Sequence, residues 1–167
     1  MTKEWHVAHG RSLRLGEKSV IMGILNVTPD SFSDGGHHND LETAIAVAGQ
    51  MLTDGATIID VGGESTRPGA AAVDSATEIA RVVPVIEALA KRYDCFISID
   101  TYRAATAQAA VDAGAHIVND VWGLQREPEI ALIAKKSGAG LVIMHTSRDR
   151  AVLADVIEDQ FSFLNLS

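Results

Sequence analysis

Five short apolar segments alternate with helical patterns along the chain, and polar residues follow each segment. The apolar segments cover residues 21–25, 57–61, 96–99, 116–118 and 141–143. Continuous apolar runs bounded by turn residues are typical of strands that are buried on both faces of a parallel sheet. We therefore predict five parallel strands whose carboxyl ends bring polar side chains to one rim.

Helical periodicity fills the intervals between these strands. In two intervals the apolar residues share one helix face. They are Leu41, Ala44, Ile45, Ala48, Met51 and Leu52 in the first interval, and Ile79, Val82, Val83, Ile86 and Leu89 in the second. Further helices are predicted over 104–113, over 129–136 and from near Asp149 to the end of the chain. Residues 75–78 have a capping-box pattern, and residues 5–7 and 12–15 form the arms of a predicted hairpin.

Alternating strands and helices specify a right-handed parallel α/β fold. The pattern is compatible with a doubly wound open sheet and with an eight-unit barrel. Polar residues end all five predicted strands, which favours a (β/α)8 barrel of the TIM type because its strand ends converge on one rim. Such a barrel seldom has fewer than about 200 residues. The chain is therefore predicted to hold about five units in a single, C-terminally incomplete domain over 1–167.

Composition narrows the classes of partner. The chain has 14 Lys and Arg residues against 22 Asp and Glu residues, and its formal charge of −8 gives no electrostatic footprint for nucleic acid or for an anionic membrane surface. The single cysteine, Cys95, is predicted to be a small core residue. The sequence shows no secretory signal and no apolar run of about 20 residues. We therefore predict a cytoplasmic location.

Polar residues in the loops provide candidates for chemistry. Asn26 follows the first strand, and its amide suits Mg²⁺ coordination or phosphate contact, although a turn former before Thr28-Pro29 would look the same. Asp30 and Asp34 suit either an oriented site or a solvated turn. Arg67, on a loop after the second strand, offers a planar fork for phosphate or carboxylate.

Asp100 and Asn119 end the third and fourth strands and are predicted to be neighbours. A carboxylate beside an amide could bind the ring N–H and amino groups of a guanidine-like heterocycle edge. The alternative is that these residues, with Asp120, cap the following helices. Met144 could line a flat ligand or pack in the core.

Three other polar residues have structural explanations. Asp60 is predicted to point into the barrel, where a carboxylate needs a hydrogen-bonding partner. Glu64 is predicted to stabilise its loop. His145 has no visible partner in the sequence, and we predict a hydrogen-bonded rim residue in preference to a general base.

The chain resembles the dihydropteroate synthase family, which has a barrel fold, in four motifs that occur in matching order. They are residues 26–36 (NVTPDSFSDGG), 62–69 (GGESTRPG), 98–101 (SIDT) and 119–120 (ND). The resemblance covers nearly all of the chain and corresponds to about the first five of the family's eight strand-helix units.

The resemblance implies condensation of 6-hydroxymethyl-7,8-dihydropterin diphosphate with p-aminobenzoate, giving 7,8-dihydropteroate and pyrophosphate in folate biosynthesis. It also implies Mg²⁺ as cofactor and a homodimer. Asn26 would ligate Mg²⁺ and hold the diphosphate, Asp100 and Asn119 would bind the pterin, and Met144 would line its pocket. Two loops would form the aminobenzoate pocket through Phe32, Asp34, Thr66, Arg67 and Pro68, of which Asp34 and Arg67 are the predicted catalytic residues.

The chain also departs from the family. The family's later units supply a pterin-binding aspartate, a pterin-pocket lysine, and an arginine and a histidine that hold the diphosphate, and the 167 residues contain no counterpart. Residues 144–148 (MHTSR) differ from the family's glutamine-glycine loop. Two alternatives remain: a noncatalytic pterin-binding or assembly half-barrel, and a pterin-dependent methyltransferase relative. The loop over 28–36 argues against the methyltransferase.

Overall fold

The computed structural model describes residues 2–28, 37–65 and 72–167, and it describes side chains in these ranges except at residues 37–39. The chain begins with β1 (Lys3–His6), a 3-10 turn (Ala8–Gly10), β2 (Ser12–Leu15) and β3 (Met22–Asn26). It continues with α1 (His37–Thr53), β4 (Ile58–Gly62), α2 (Ser75–Arg92), β5 (Phe96–Asp100) and α3 (Ala104–Asp112). The last elements are β6 (Ile117–Asp120), α4 (Glu129–Ser137), β7 (Gly140–Ile143) and α5 (Val156–Leu164). No helix in these described ranges is long and apolar enough to cross a membrane.

The five predicted strands form one parallel sheet in the order β3-β4-β5-β6-β7. Each strand lies beside the next one in the chain, as in a barrel, and the order never reverses as it does in a doubly wound sheet. The predicted hairpin is confirmed, since β1 and β2 pair antiparallel.

Alternate residues of the strands face two different apolar clusters. One face packs on the helices through residues such as Ile59, Ile97 and Val118. The other face packs on the hairpin through Ile58, Phe96, Ile117, Val7 and Leu13. Because strand side chains alternate with a period of two, the second face is the inner one of a barrel-like curve, and the hairpin covers its lower end. Cys95 is 4% exposed within the helix-side cluster, as predicted.

The starts of two helices differ from prediction. The N-cap of α2 is Asp74, whose Oδ1 accepts a hydrogen bond from Thr77 N at 2.7 Å, so the predicted capping box over 75–78 is wrong by one position. The fifth helix begins at Val156, because Asp149 has the left-handed φ of 56° that an α-helix does not contain.

The segment before α5 is instead organised by a buried carboxylate. Asp159 accepts hydrogen bonds from Leu153 N at 2.8 Å and from the Arg150 guanidinium at 2.9 Å. Through these bonds the chain between β7 and α5 surrounds the side chain of Asp159. The same bonds hold the pKa of this carboxyl below its usual range. Tertiary hydrogen bonding therefore overrides the local helical pattern.

A buried ion pair links the carboxyl ends of β4 and β5. Glu78 of α2 is 1% exposed, and its Oε2 accepts hydrogen bonds from Arg103 at 3.1 Å and from two threonine hydroxyls. Arg103 also pairs with Glu64 at 2.7 Å, and Glu64 accepts from Val73 N at 3.1 Å. Glu64 therefore stabilises its loop, as predicted, by holding Val73 close to the end of β4.

Replacing Arg103 with methionine should strongly destabilise the protein. The change leaves the Glu78 carboxylate buried without its cation, which costs about 3–5 kcal/mol of unfolding free energy. The matched control is Arg92→Met, which breaks an ion pair with Glu42 whose partners are about half exposed and should cost no more than about 1 kcal/mol. Urea unfolding of the two variants measures both values, and equal costs would contradict this account of the pair.

A buried histidine lies at the lower end of the sheet. The Nδ1 atom of His116 accepts a hydrogen bond from Ile97 N at 3.0 Å, so this nitrogen carries no proton. Burial, aided by the positive charge of Arg11 and by His9, lowers the pKa of His116 to about 4. Protonation therefore requires the loss of the hydrogen bond to the β5 backbone.

Stability should fall as the pH is lowered from about 6.5 to about 4. His116 in the unfolded chain takes up a proton near its ordinary pKa, whereas the folded protein resists protonation until about pH 4, so acid favours the unfolded state by about 1–3 kcal/mol. His116→Asn keeps an acceptor and removes the titration. Unfolding free energies measured between pH 4.5 and 7 should fall less steeply for this variant, and parallel curves would contradict the assignment.

Candidate active site at the carboxyl ends of the strands

The inner face of the sheet changes from apolar to polar towards the carboxyl ends of its strands. Ile58 and Phe96 pair in register near the lower end, Asp60 and Ser98 pair two residues further along, and Gly62 and Asp100 pair two residues beyond these. Because parallel partners in register point to the same side, the polar layers lie directly above the apolar one. The sheet therefore presents its polar groups at one rim.

The uppermost layer contains three of the predicted site residues. Asn26, Gly62, Asp100 and Asn119 are in register on β3, β4, β5 and β6. The prediction that Asp100 and Asn119 are neighbours is confirmed. Each of the three polar residues lies inside its strand, as the last or next-to-last residue, and their positions are fixed by the sheet hydrogen bonds.

Gly62 lets two of these side chains come close to the strand between them. A Cβ atom built on Gly62 would lie 3.2 Å from Asn26 Oδ1 and 3.7 Å from Asp100 Oδ2. Both oxygens therefore approach one point, and a side chain at position 62 would crowd Asn26. Two oxygen atoms that approach one point suit a cation or a group that donates hydrogen bonds.

Asp60 lies one layer deeper and contacts Asn119. Its side chain is 4% exposed, and its Oδ2 accepts a hydrogen bond from Asn119 Nδ2 at 3.0 Å. The predicted need for a partner is thus met by a side-chain amide. The other carboxylate oxygen, Oδ1, is buried and has no hydrogen-bonding partner in the described parts of the chain.

The Asp100 carboxyl titrates near neutral pH. Burial raises its pKa to about 7, and the nearby negative charges of Asp60, Glu78 and Asp120 act in the same direction. Arg148 opposes these effects. A carboxyl group that can be either neutral or ionised near pH 7 is typical of ligand-binding and catalytic positions.

Asp120 stabilises the turn after β6. Its two carboxylate oxygens accept hydrogen bonds from Trp122 N at 2.8 Å and from Leu124 N at 2.7 Å, and Leu124 has a φ of 63°. Asp120 therefore holds a strained turn, and the predicted alternative of helix capping is wrong because α4 begins later, at Glu129. Its backbone oxygen also accepts from Met144 N at 3.1 Å, which places the exposed Met144 side chain at the same rim.

Aromatic and basic side chains that were not predicted extend the site along the rim. Trp122 lies beneath the guanidinium groups of Arg126 and Arg148, at 4.1 and 5.6 Å from its ring centroid. Its ring also meets Tyr102 edge to face at 6.1 Å. Both aromatic residues come two positions after a strand-ending aspartate, which is the signal that could have identified them.

His145 belongs to a hydrogen-bonded cluster at the rim. Its Nε2 lies 2.7 Å from Asp159 Oδ2 and 2.7 Å from Arg150, which confirms a hydrogen-bonded rim histidine. The predicted residues Phe32, Asp34, Thr66, Arg67 and Pro68, together with Asp30, lie outside the described residues. Their roles stay predictions.

Comparison with known proteins finds dihydropteroate synthases that are similar to most of this chain. The dihydropteroate synthase of Bacillus subtilis strain 168 is 48% identical over 151 residues, which are 89% of this chain and 53% of that protein. The dihydropteroate synthase of Streptococcus pyogenes serotype M1 is 51% identical over 146 residues, which are 87% of this chain and 54% of the relative. The chain thus spans about half the length of the curated relatives that it matches.

Solved structures confirm the barrel-type α/β fold over the matched region. The dihydropteroate synthase of Clostridium difficile, crystallised in the presence of pteroic acid, matches with a TM-score of 0.86 and 48% identity over 90% of this chain and 57% of its own. The Xanthomonas albilineans dihydropteroate synthase with 4-aminobenzoic acid matches with a TM-score of 0.87 and 40% identity. That match covers 98% of this chain and 60% of the other.

The family model described as pterin binding enzyme matches residues 22–161. This range begins with β3 and ends inside α5, so it contains the whole parallel sheet and every strand-borne residue of the candidate site. The chain therefore belongs to the family of pterin binding enzymes.

Proposed function

We propose that this chain carries the pterin-binding part of a dihydropteroate synthase. The reaction would join the amine of p-aminobenzoate to the pterin methylene carbon while the bond from that carbon to the diphosphate breaks. The observation that supports the proposal is the layer in which Asn26, Gly62, Asp100 and Asn119 lie in register, because its polar side chains would bind a heterocycle and a diphosphate-bound cation side by side. The relatives that match this part of the chain are dihydropteroate synthases.

The strand-borne residues divide into two roles. Asp100 and Asn119 would bind the pterin through its ring N–H and amino groups, since a carboxylate and an amide carbonyl accept such hydrogen bonds. Met144, at the rim beside Asp120, would cover the ring. Asn26 would face the diphosphate end of the substrate.

The two loops would supply the second substrate's pocket. We propose that Phe32, Asp34, Thr66, Arg67 and Pro68 bind p-aminobenzoate, with the Arg67 guanidinium matching its carboxylate. Asp34 and Arg67 would be the catalytic residues of this pocket. Exclusion of water by such loops protects a cation-like pterin methylene from hydrolysis.

The residues at Gly62 fit a magnesium ion. Asn26 Oδ1, beside Gly62, is a hard oxygen donor, and Mg²⁺ prefers one or two protein oxygens together with substrate phosphates and water. Bound Mg²⁺ would neutralise charge on the diphosphate, and Asn26 is the proposed ligand.

A second candidate is a noncatalytic pterin-binding or assembly half-barrel. Ile24 of β3 shares the inner layer with buried Asp60, yet it is 64% exposed, so this end of the inner face is uncovered by the described residues. In the described sheet β3 is also an edge strand, and an exposed edge can pair with another chain. Homodimer formation and a cytoplasmic location stay predictions from the sequence.

Pyrophosphate release distinguishes the two candidates. Release of pyrophosphate from the pterin diphosphate by the purified 167-residue chain with Mg²⁺, and only when p-aminobenzoate is present, would support the synthase. Arg67→Ala should lower that rate at least tenfold, because one charge-assisted hydrogen bond contributes about 1.5–3 kcal/mol. The control is Arg14→Ala on the hairpin, which should keep the full rate. A folded chain that binds the pterin without releasing pyrophosphate would favour the noncatalytic module.

Pterin affinity should depend on the ionisation of Asp100. Ring N–H and amino donors require the carboxylate, so affinity should fall about tenfold per pH unit below the pKa of about 7 and level off above it. Asp100→Asn should bind weakly with a flat profile between pH 5.5 and 8. Asp112→Asn, an exposed change at the end of α3, is the control and should keep the wild-type profile. Calorimetric titration measures these affinities, and a pH-independent wild-type value would contradict the assignment.

A further inference from the structure

The contact between Asp60 and Asn119 determines which end of the Asn119 amide faces the ligand. Asp60 Oδ2 lies 3.0 Å from Asn119 Nδ2. A carboxylate has no hydrogen to donate, so the amide nitrogen must be the atom that faces it. The Asn119 carbonyl oxygen is consequently directed away from Asp60.

The surroundings of Asp60 favour this arrangement. Burial raises the pKa of the Asp60 carboxyl, and the neighbouring Ser98 hydroxyl and the hydrogen bond from Asn119 act against that rise by stabilising the ionised form. Asp60 is fixed in the middle of β4, where it pairs in register with Ser98 of β5. The carboxylate therefore cannot move away without breaking the strand or leaving a buried charge unpaired.

The orientation of Asn119 sets the hydrogen-bonding character of the upper layer. Asp100 lies in register with Asn119 and, when ionised, is also an acceptor. The two neighbouring side chains then present oxygen atoms to a ligand. Such a pair selects a heterocycle edge that carries adjacent N–H and amino donors, and it disfavours an edge where a carbonyl replaces the amino group.

We propose that Asp60 is a positioning residue that determines ligand specificity: through Asn119 it makes the site select donor-bearing pteridines over their oxo analogues. This inference rests on the proposed pterin site and adds a residue that does not itself contact the ligand. Asp60 influences which heterocycle binds. Any effect of Asp60 on the reaction rate follows from this binding preference.

The test compares two pteridines that differ at one position. Affinities for 2-amino-4-oxopteridine and 2,4-dioxopteridine are measured by calorimetry at pH 8 for the wild type and for Asp60→Asn. The amide introduced by this substitution can either donate or accept, so Asn119 is no longer held in one orientation. The ratio of the affinities for the amino and the oxo compound should then fall about tenfold, which corresponds to the loss of one hydrogen bond. The matched control is Asp112→Asn, an exposed change at the end of α3, which should leave the preference unchanged.

The outcomes separate this inference from the proposed function. Equal weakening of both pteridines in Asp60→Asn would show a merely structural role and overturn the inference while the pterin site stands. A wild-type chain that binds neither compound would overturn the proposed site and the specificity role together.

A measurement on the wild type alone tests the orientation without relying on a variant that folds. A scalar coupling across the hydrogen bond between Asn119 ¹⁵Nδ2 and Asp60 ¹³Cγ is expected in the NMR spectrum of the labelled protein. Its absence, with the Asn119 amide protons exchanging freely with water, would overturn the inference.

Discussion

The in-register pairing of five parallel strands is the constraint on which the rest of this structure depends. A strand places every second side chain on the same face, so one register decides which residues meet the helices and which meet the barrel interior. A shift of one residue in the pairing register of β5 would point the Asp100 side chain at the helices and the Ile99 side chain at the site. The same pairing register therefore determines which residues pack in the core and which residues form the site.

Buried carboxylates carry an energetic cost in this architecture, and each is compensated differently. Glu78 is paired with a buried arginine, Asp120 with two backbone amides and Asp159 with an arginine at the rim. Asp60 accepts its hydrogen bond from a neutral group, the Asn119 amide. Carboxylates with charged or several partners are held for stability, whereas a buried carboxylate with a neutral side-chain partner is more easily explained by a function.

Much of the fold could be predicted because the signals are local. Apolar runs identify the strands, and the parallel arrangement makes Asp100 and Asn119 neighbours without further information. The contact of Asp60 with Asn119 could not be predicted, because it joins β4 to β6 across the intervening strand β5 and links two layers of the inner face. Glu78 fits a capping box by sequence, but in three dimensions it meets Arg103, and no local pattern distinguishes these two outcomes. The late start of α5 has a similar origin in the contacts of Asp159.

The site residues Asn26, Asp60, Asp100 and Asn119 all lie on strands, which has a consequence for the thermodynamics of binding. Sheet hydrogen bonds already fix their backbones, so a ligand that reaches them orders little additional protein. Association with this layer should therefore carry only a small conformational entropy penalty, and its free energy should come mainly from hydrogen bonds and desolvation. Preorganisation of this kind lets a few acceptor atoms discriminate between heterocycles of nearly identical shape.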